Sequence, residues 1–389
     1  MKAIINTKLV LEENIILDGV LLHDGGRIVA CGGARSLAVP AGTAVTDARG
    51  LYTIPGFIDI HNHGSGEHRM YRNPESVCTR YLDHGTTTAL ACCSYGQNFD
   101  SFLAGIRTIR AAAGKGDCRI IQGLYLEGPY MNVKYGAGAR DNPWGAPVNA
   151  REYKPLADAA GDFARIWCVA PEREGVEEFM QYARQVNPGV LFAMGHSEAH
   201  PDQAKKLKKY GLKVQTHHTN ATGIVLTNGS SGKGIRDVGP DEAVWYDDDI
   251  YAELISDELG IHVRPHMQRL AAKIKGINRI ILITDSTDSV ESGGQAPEAL
   301  RHARDINFDK YGAVSGSKLS MDVACRNFMS HTGYGIGHIA RMASLNAARL
   351  LGIDGELGSI AEGKKANLLI CDDTFNIDRV IFEGETVRG

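Results

Sequence analysis

The sequence predicts an α/β protein: a (β/α)₈ barrel of the TIM type, with a small β-sandwich domain formed by both chain termini. Three observations predict it. Short apolar runs alternate with helical patterns about eight times through the middle of the 389-residue chain. Most of these runs lack polar alternation, as parallel strands buried on both faces do. Both ends instead carry short strand-like runs punctuated by Gly, Asp and Asn, in the manner of β-hairpins. The expected division is residues 1–54 with 359–389 in the terminal domain and 55–358 in the barrel.

The N-terminal runs are INTKLVL, NIILDGVLLHDG and GRIVACGG, and the C-terminal stretch GSIAEGKKANLLICDDTFNIDRVIFEGETVRG reads the same way. Between them the eight expected strands are Thr53–His61, Thr86–Ala91, Arg119–Leu126, Ile166–Val169, Leu191–Met194, Lys213–Thr216, Ile250–Ile255 and Arg279–Thr284. SFLAGIRTIRAAAG and HPDQAKKLKKYG are examples of the helical stretches between them. Repeated strand–helix alternation favours a closed barrel over an open sheet.

Composition sets outer bounds on function. The chain is 43% hydrophobic and 23% charged with net charge −4, giving no electrostatic reason to expect nucleic acid or an anionic membrane as partner. No stretch approaches the roughly 18 apolar residues of a membrane span. The opening residues lack the continuous apolar stretch of a signal peptide. Eight scattered cysteines form no CxxC pair, so reduced thiols and a cytoplasmic location are expected.

The chemistry stands at the strand ends. Strand one ends in FIDIHNHG, with His61 and His63, and strand three in GLYLEGPY, with Glu127. Strand five ends in FAMGHSEA (His196), strand six in VQTHHTNA (His217, His218) and strand eight in ILITDSTDS (Asp285). The C-terminal strand ends of a barrel converge on one mouth, where active sites are built. Imidazoles and a carboxylate are ligands that zinc, iron, manganese or cobalt accept. Residues two apart on a strand share a face, so His61 and His63 are expected to point inward together. A lone histidine is more often a surface or core residue, and His84, His200, His302 and His331 are read that way. Asp285 is the candidate general base of a hydrolytic metal site, whereas Asp288 is read as a loop or capping residue.

These motifs resemble the amidohydrolase superfamily, and within it the branch of N-acetylglucosamine-6-phosphate deacetylases. The resemblance runs nearly end to end through PGFIDIHNHG, LEGPY, GHSEA, HHTNA, ITDS, SGSKLSMDVACRN, ASLNAARLLG and GSIAEGKKANLLI. It implies a divalent metal, zinc foremost with iron, manganese or cobalt as alternatives, on Glu127, His196 and His217. His61 and His63 match members that carry a second ion, so one or two ions per chain are expected. Asp285 matches the catalytic aspartate. Gly128, Asn220, Ala221, Arg236, His262, Ser315 and Gly316 match substrate contacts. Lys134, Lys233 and Arg140 are further candidates for a phosphate, although solvated surface charge is the commoner fate of such residues. The implied substrate is an N-acetylhexosamine 6-phosphate, cleaved to acetate and the amino sugar phosphate; a homodimer is also consistent with the family.

The chain departs from the branch at two places. The GRxPG-like segment reads GKGIRDVGP, and the KGAHNP stretch reads KYGAGARDNP, without its histidine. Strand four, IWCVAPE, lacks the lysine that many relatives carboxylate. The alternatives are an amidohydrolase acting on another N-acyl or cyclic amide, and a barrel that binds without catalysis.

Overall fold

A computed structural model describes residues 1–225, 237–290 and 293–389. Eight parallel strands follow one another in chain order around the barrel: β1 (Phe57–Asp59), β2 (Thr86–Ser94), β3 (Ile121–Glu127), β4 (Ala164–Val169), β5 (Leu191–Met194), β6 (Leu212–Gln215), β7 (Tyr251–Ile255) and β8 (Ile280–Ile283). The sheet is nearly closed. Where β8 returns to β1, the Thr284 hydroxyl donates to Asp59 Oδ2 at 2.6 Å and the Asp285 amide donates to the His61 carbonyl at 2.9 Å.

The apolar runs do what parallel strands require. On β8, Ile281 and Ile283 fill the barrel interior with Ile58, Tyr125, Ile166 and Val214. Ile280 and Leu282 face outward into the larger core beneath the helices, with Leu124, Phe192 and Leu254. All but the last two residues of the stretch SFLAGIRTIRAAAG lie in the helix Phe99–Ala112, started by the Asn98 side chain accepting from the Ser101 amide. Its buried Phe102, Ile106 and Ile109 form one stripe at helical spacing.

The ends of the chain pair with each other. Lys2–Val10, Ile15–Asp24, Arg27–Gly33, Ala44–Asp47 and Tyr52–Pro55 join Leu368–Cys371, Ile377–Phe382 and Glu385–Arg388 in a separate eight-stranded sheet. Tyr52–Pro55 lies inside that sheet, parallel to Lys2–Val10 on one side and antiparallel to Leu368–Cys371 on the other.

The expected strand Thr53–His61 is therefore two strands in two sheets. At the join, the Gly56 amide donates to the Asn367 carbonyl and the Phe57 amide to the Gly85 carbonyl, so the ladder changes partner there. The sequence reading also lacked a hairpin, Ile306–Phe308 with Val314–Ser317, that follows β8. No helix among the described residues is long and apolar enough to cross a membrane.

Candidate metal and catalytic centre

The barrel brings the strand-end residues to one place. Glu127 is the last residue of β3, and the inward/outward alternation that buries Leu126 outside turns Glu127 inward beside Tyr125. His196, His217 and Asp285 each lie two residues beyond their strands. Glu127 Oε1 is 3.2 Å from His196 Nε2 and 3.3 Å from His217 Nε2, and the two imidazole nitrogens are 3.2 Å apart. Three buried donor atoms this close, of these types, fit a divalent cation.

A second set adjoins the first. His63 Nε2 lies 3.3 Å from Glu127 Oε2, 3.2 Å from Asp285 Oδ1 and 3.3 Å from His61 Nε2. Glu127 thus turns Oε1 to His196 and His217 and Oε2 to His63, with His61 Nε2 3.8 Å from Oε1. His61 and His63 do converge, but not through strand alternation, because β1 ends at Asp59. The turn is held instead by the amides of His63 and Gly64, which both donate to the Ser286 carbonyl.

The remaining nitrogens of His196 and His217 are tied back. His196 Nδ1 is 3.1 Å from the Tyr135 carbonyl, and His217 Nδ1 is 3.2 Å from the Asn220 carbonyl. A carbonyl can only accept, so each Nδ1 carries hydrogen, and Nε2 is the nitrogen left to meet a cation once its own proton is lost. His218 is turned away: its Nδ1 bonds the Gln215 side chain and its ring packs edge-on to Trp245.

Charge in the cluster follows from these close contacts. Burial alone would raise the Glu127 carboxyl, but hydrogen bonds from His196, His217 and His63 outweigh it and hold Glu127 well below the usual range. Burial opposes a charged His63, yet Asp285 and Glu127 lift its pKa to about 9. His217 also reaches about 9, against burial, through its bond to Glu127 and the nearby Asp285 charge. Asp285, buried but bonded to His63, stays below its ordinary value and so is a carboxylate near neutral pH.

A cavity of about 530 Å³ opens above these groups. His63, Glu127, His196, His217 and Asp285 reach it, and His61 lies behind them, fully buried. Of the expected substrate contacts, Asn220, Ala221, His262, Ser315 and Gly316 line the cavity. Gly128 is buried against Tyr95 and does not. Arg236 and Lys233 fall outside the described residues. Lys134 pairs with Glu198 at 2.5 Å and Arg140 lies over the Tyr311 ring, and neither lines the cavity.

The hairpin after β8 explains how Ser315 and Gly316 arrive. The Ser317 amide donates to the Asp285 carbonyl at 2.8 Å, and the Thr287 amide to the Ser317 carbonyl at 2.9 Å. Gly316 has φ +64°, and a Cβ there would sit 2.7 Å from the Asp285 carbonyl oxygen. His262 Nδ1 is 3.1 Å from Asp257 Oδ2, which leaves its buried Nε2 without a protein partner among the described residues.

Several contributors were not anticipated. Arg69 and Lys310 line the cavity, paired with Asp288 and with Asp141 respectively. Tyr95 lies edge-on to His196, with ring centroids 4.9 Å apart. Glu253, an acid in the middle of apolar β7, was visible in the sequence as an anomaly within YAELI. Arg69 and Lys310 carried no such signal. The histidines read as structural lie elsewhere: His200 caps a helix, His84 pairs with Asp322, and His331 bonds Gln268.

The profile of the amidohydrolase family matches residues 52–387, and the chain belongs to that family of metal-dependent hydrolases. It is 29% identical to N-acetylglucosamine-6-phosphate deacetylase of Bacillus subtilis (strain 168), over 97% of this chain and 94% of that protein. It is 27% identical to N-acetylgalactosamine-6-phosphate deacetylase of Escherichia coli O157:H7, over 89% of this chain and 90% of that one. The structure of N-acetylglucosamine-6-phosphate deacetylase from Pasteurella multocida superposes with a TM-score of 0.84 at 24% identity, covering all of both chains.

Proposed function

We propose that this chain hydrolyses the acetamide of an N-acetylhexosamine 6-phosphate, N-acetylglucosamine 6-phosphate first among them, to acetate and the amino sugar phosphate. The observation that carries the reading is the convergence of Glu127, His196 and His217 with the Asp285 carboxylate in one cavity. Full-length similarity to deacetylases of two hexosamine epimers supports the substrate class.

Glu127, His196 and His217 would hold one divalent ion, zinc first among the candidates, and His61 and His63 a second. Such an ion supplies Lewis-acid chemistry, acidifying water and polarising a carbonyl. The protein's own contributions follow from position. Asp285 takes the proton of the attacking water and returns it to the leaving nitrogen. Its left-handed backbone, φ +46°, is fixed by the His61 carbonyl on one side and the Ser317 amide on the other, which aims the carboxylate at the cavity. The buried Nε2 of His262 offers the sugar a polar contact. The cavity cations, Arg69 and Lys310, provide positive charge for the phosphate, which gains strength from charge-assisted hydrogen bonds.

Binding energy from the phosphate, remote from the scissile bond, can orient the acetamide, so its loss should lower kcat as well as raise KM. The test is acetate release from N-acetylglucosamine, N-acetylgalactosamine and N-acetylmannosamine, each with and without 6-phosphate, after metal reconstitution. Equal or faster cleavage of the unphosphorylated sugars would refute the phosphate assignment. Cleavage of no N-acetyl sugar at all would refute the deacetylase reading.

A further inference from the structure

We infer that Glu253 on β7 is a positioning residue that commits His61 to a second metal ion and couples that ion's site to the first. The inference rests on the two-ion reading of the centre proposed above.

Glu253 is fully buried, and its Oε2 accepts twice. It lies 3.0 Å from His61 Nδ1 and 3.2 Å from the His217 backbone amide. The partners belong to different ion positions, since His61 adjoins His63 and His217 belongs with Glu127 and His196. One oxygen of one side chain therefore touches both.

The bond to His61 settles which nitrogen carries hydrogen. A carboxylate accepts, so Nδ1 donates and Nε2 presents its lone pair toward His63, Glu127 and Asp285. Stacking on Tyr125, with centroids 4.4 Å apart and planes at 25°, holds the plane of the ring, and the bond to Glu253 fixes which edge faces the centre.

The bond to His217 serves a different purpose. His217 has φ +27°, a left-handed conformation that non-glycine residues rarely adopt and that persists only where the surrounding structure imposes it. Glu253 holds that residue's amide, while its own carbonyl accepts from the His218 amide at 2.8 Å. A buried carboxylate in an otherwise apolar strand is expensive without partners. The other oxygen, Oε1, has none among the described residues, so packing needs alone do not account for the charge.

Glu253→Gln and Glu253→Ala separate the charge from the geometry. Glutamine can keep its carbonyl on His61 and the His217 amide while losing the charge; alanine removes both. The measurement is manganese binding to the metal-free full chain, read by titration calorimetry and by the spin-coupled electron paramagnetic resonance signal of a paired site. The wild type should take two ions and show the coupled signal. Glu253→Ala should weaken the second ion by about 10–100-fold, the usual cost of losing an outer partner of a ligand histidine. It should lose the coupled signal yet still bind one ion, and Glu253→Gln should restore part of the loss.

Three results would overturn the inference: a wild type that binds fewer than two ions, equal weakening of both ions in Glu253→Ala, or unchanged stoichiometry and signal in a folded Glu253→Ala. A wild type that binds no ion at all, rather than one, would also remove the metal reading beneath it.

Discussion

Gly136 sits in the segment that replaces the family's histidine-bearing stretch, and its missing side chain leaves room for His196. At Gly136 φ is +91°, and a Cβ there would lie 2.2 Å from His196 Cε1, 2.3 Å from its Nδ1 and 2.5 Å from the Tyr95 hydroxyl. Carbon atoms settle at about 3.5–4.0 Å. In Gly136→Ala, then, either the loop or the imidazole must move by about 1.3 Å or more. Movement of the loop also carries away the Tyr135 carbonyl that holds His196 Nδ1.

A misplacement of roughly 1 Å in a catalytic constellation can cost about 100-fold, which is about 2.7 kcal/mol of transition-state stabilisation. The left-handed backbone adds about 1–2 kcal/mol of lost stability for any non-glycine residue. Gly138→Ala supplies the control, because Gly138 shares the loop and a positive φ of +64°, but a Cβ there meets nothing within 4 Å. The assay compares kcat/KM on N-acetylglucosamine 6-phosphate and tightly bound metal for both variants. Gly136→Ala should fall about 100-fold in kcat/KM and lose metal, while Gly138→Ala should show the stability loss alone. Equal behaviour of the two variants would refute the argument that close contact with His196 is what requires glycine at 136.

Other outcomes follow from the same geometry. His196→Ala should remove the tightly bound ion measured by elemental analysis, and chelation of the wild type should abolish turnover until a divalent ion is restored. Full activity in protein shown to be metal-free would count against the centre. Asp285→Asn should lower kcat by about 10²–10⁴-fold with the ion on Glu127, His196 and His217 retained; a change confined to KM would make Asp285 a binding residue instead. In the ion-free protein His63 and His217 each titrate at about 9, so both carry a proton at pH 7 that an incoming ion must displace. Affinity should therefore rise with pH and level off above about 9. Calorimetry at pH 7 in two buffers of different ionisation enthalpy should show net proton release, and a count of zero would contradict the assignment.

The parts legible in the sequence were those set by local pattern. Mostly apolar runs marked the barrel strands, and a histidine or acid at or just past the ends of five of them marked the candidate centre. Parallel register carries those residues to the same mouth wherever they lie along the chain. What the sequence did not show depends on contacts between distant segments. Thr53–His61 reads as one apolar strand because nothing local reveals that its partner changes at Gly56. The hairpin Ile306–Phe308/Val314–Ser317 is short and weakly patterned, and it gains its place from backbone bonds to residues 285–287. Arg69 and Lys310 look like ordinary surface cations until the loops that carry them fold over the cavity. Glu253 was the exception, since an acid inside an apolar run is a local signal that can be found without the fold.

The strand Tyr52–Pro55 has a consequence for how the chain is made. One of its two neighbours, Lys2–Val10, leaves the ribosome before it; the other, Leu368–Cys371, follows more than three hundred residues later. At about 5–20 residues per second, that interval is roughly 15–60 s. Throughout it, one edge of a hydrophobic strand stands unpaired, one residue away from the strand that begins the barrel and leads to His61. An open edge of that kind is a template for pairing with another chain. The pairing of the two terminal segments thus sets a timing problem: β1 and the turn to His61 are made early in synthesis, while the sheet that anchors the preceding strand waits for Leu368–Cys371.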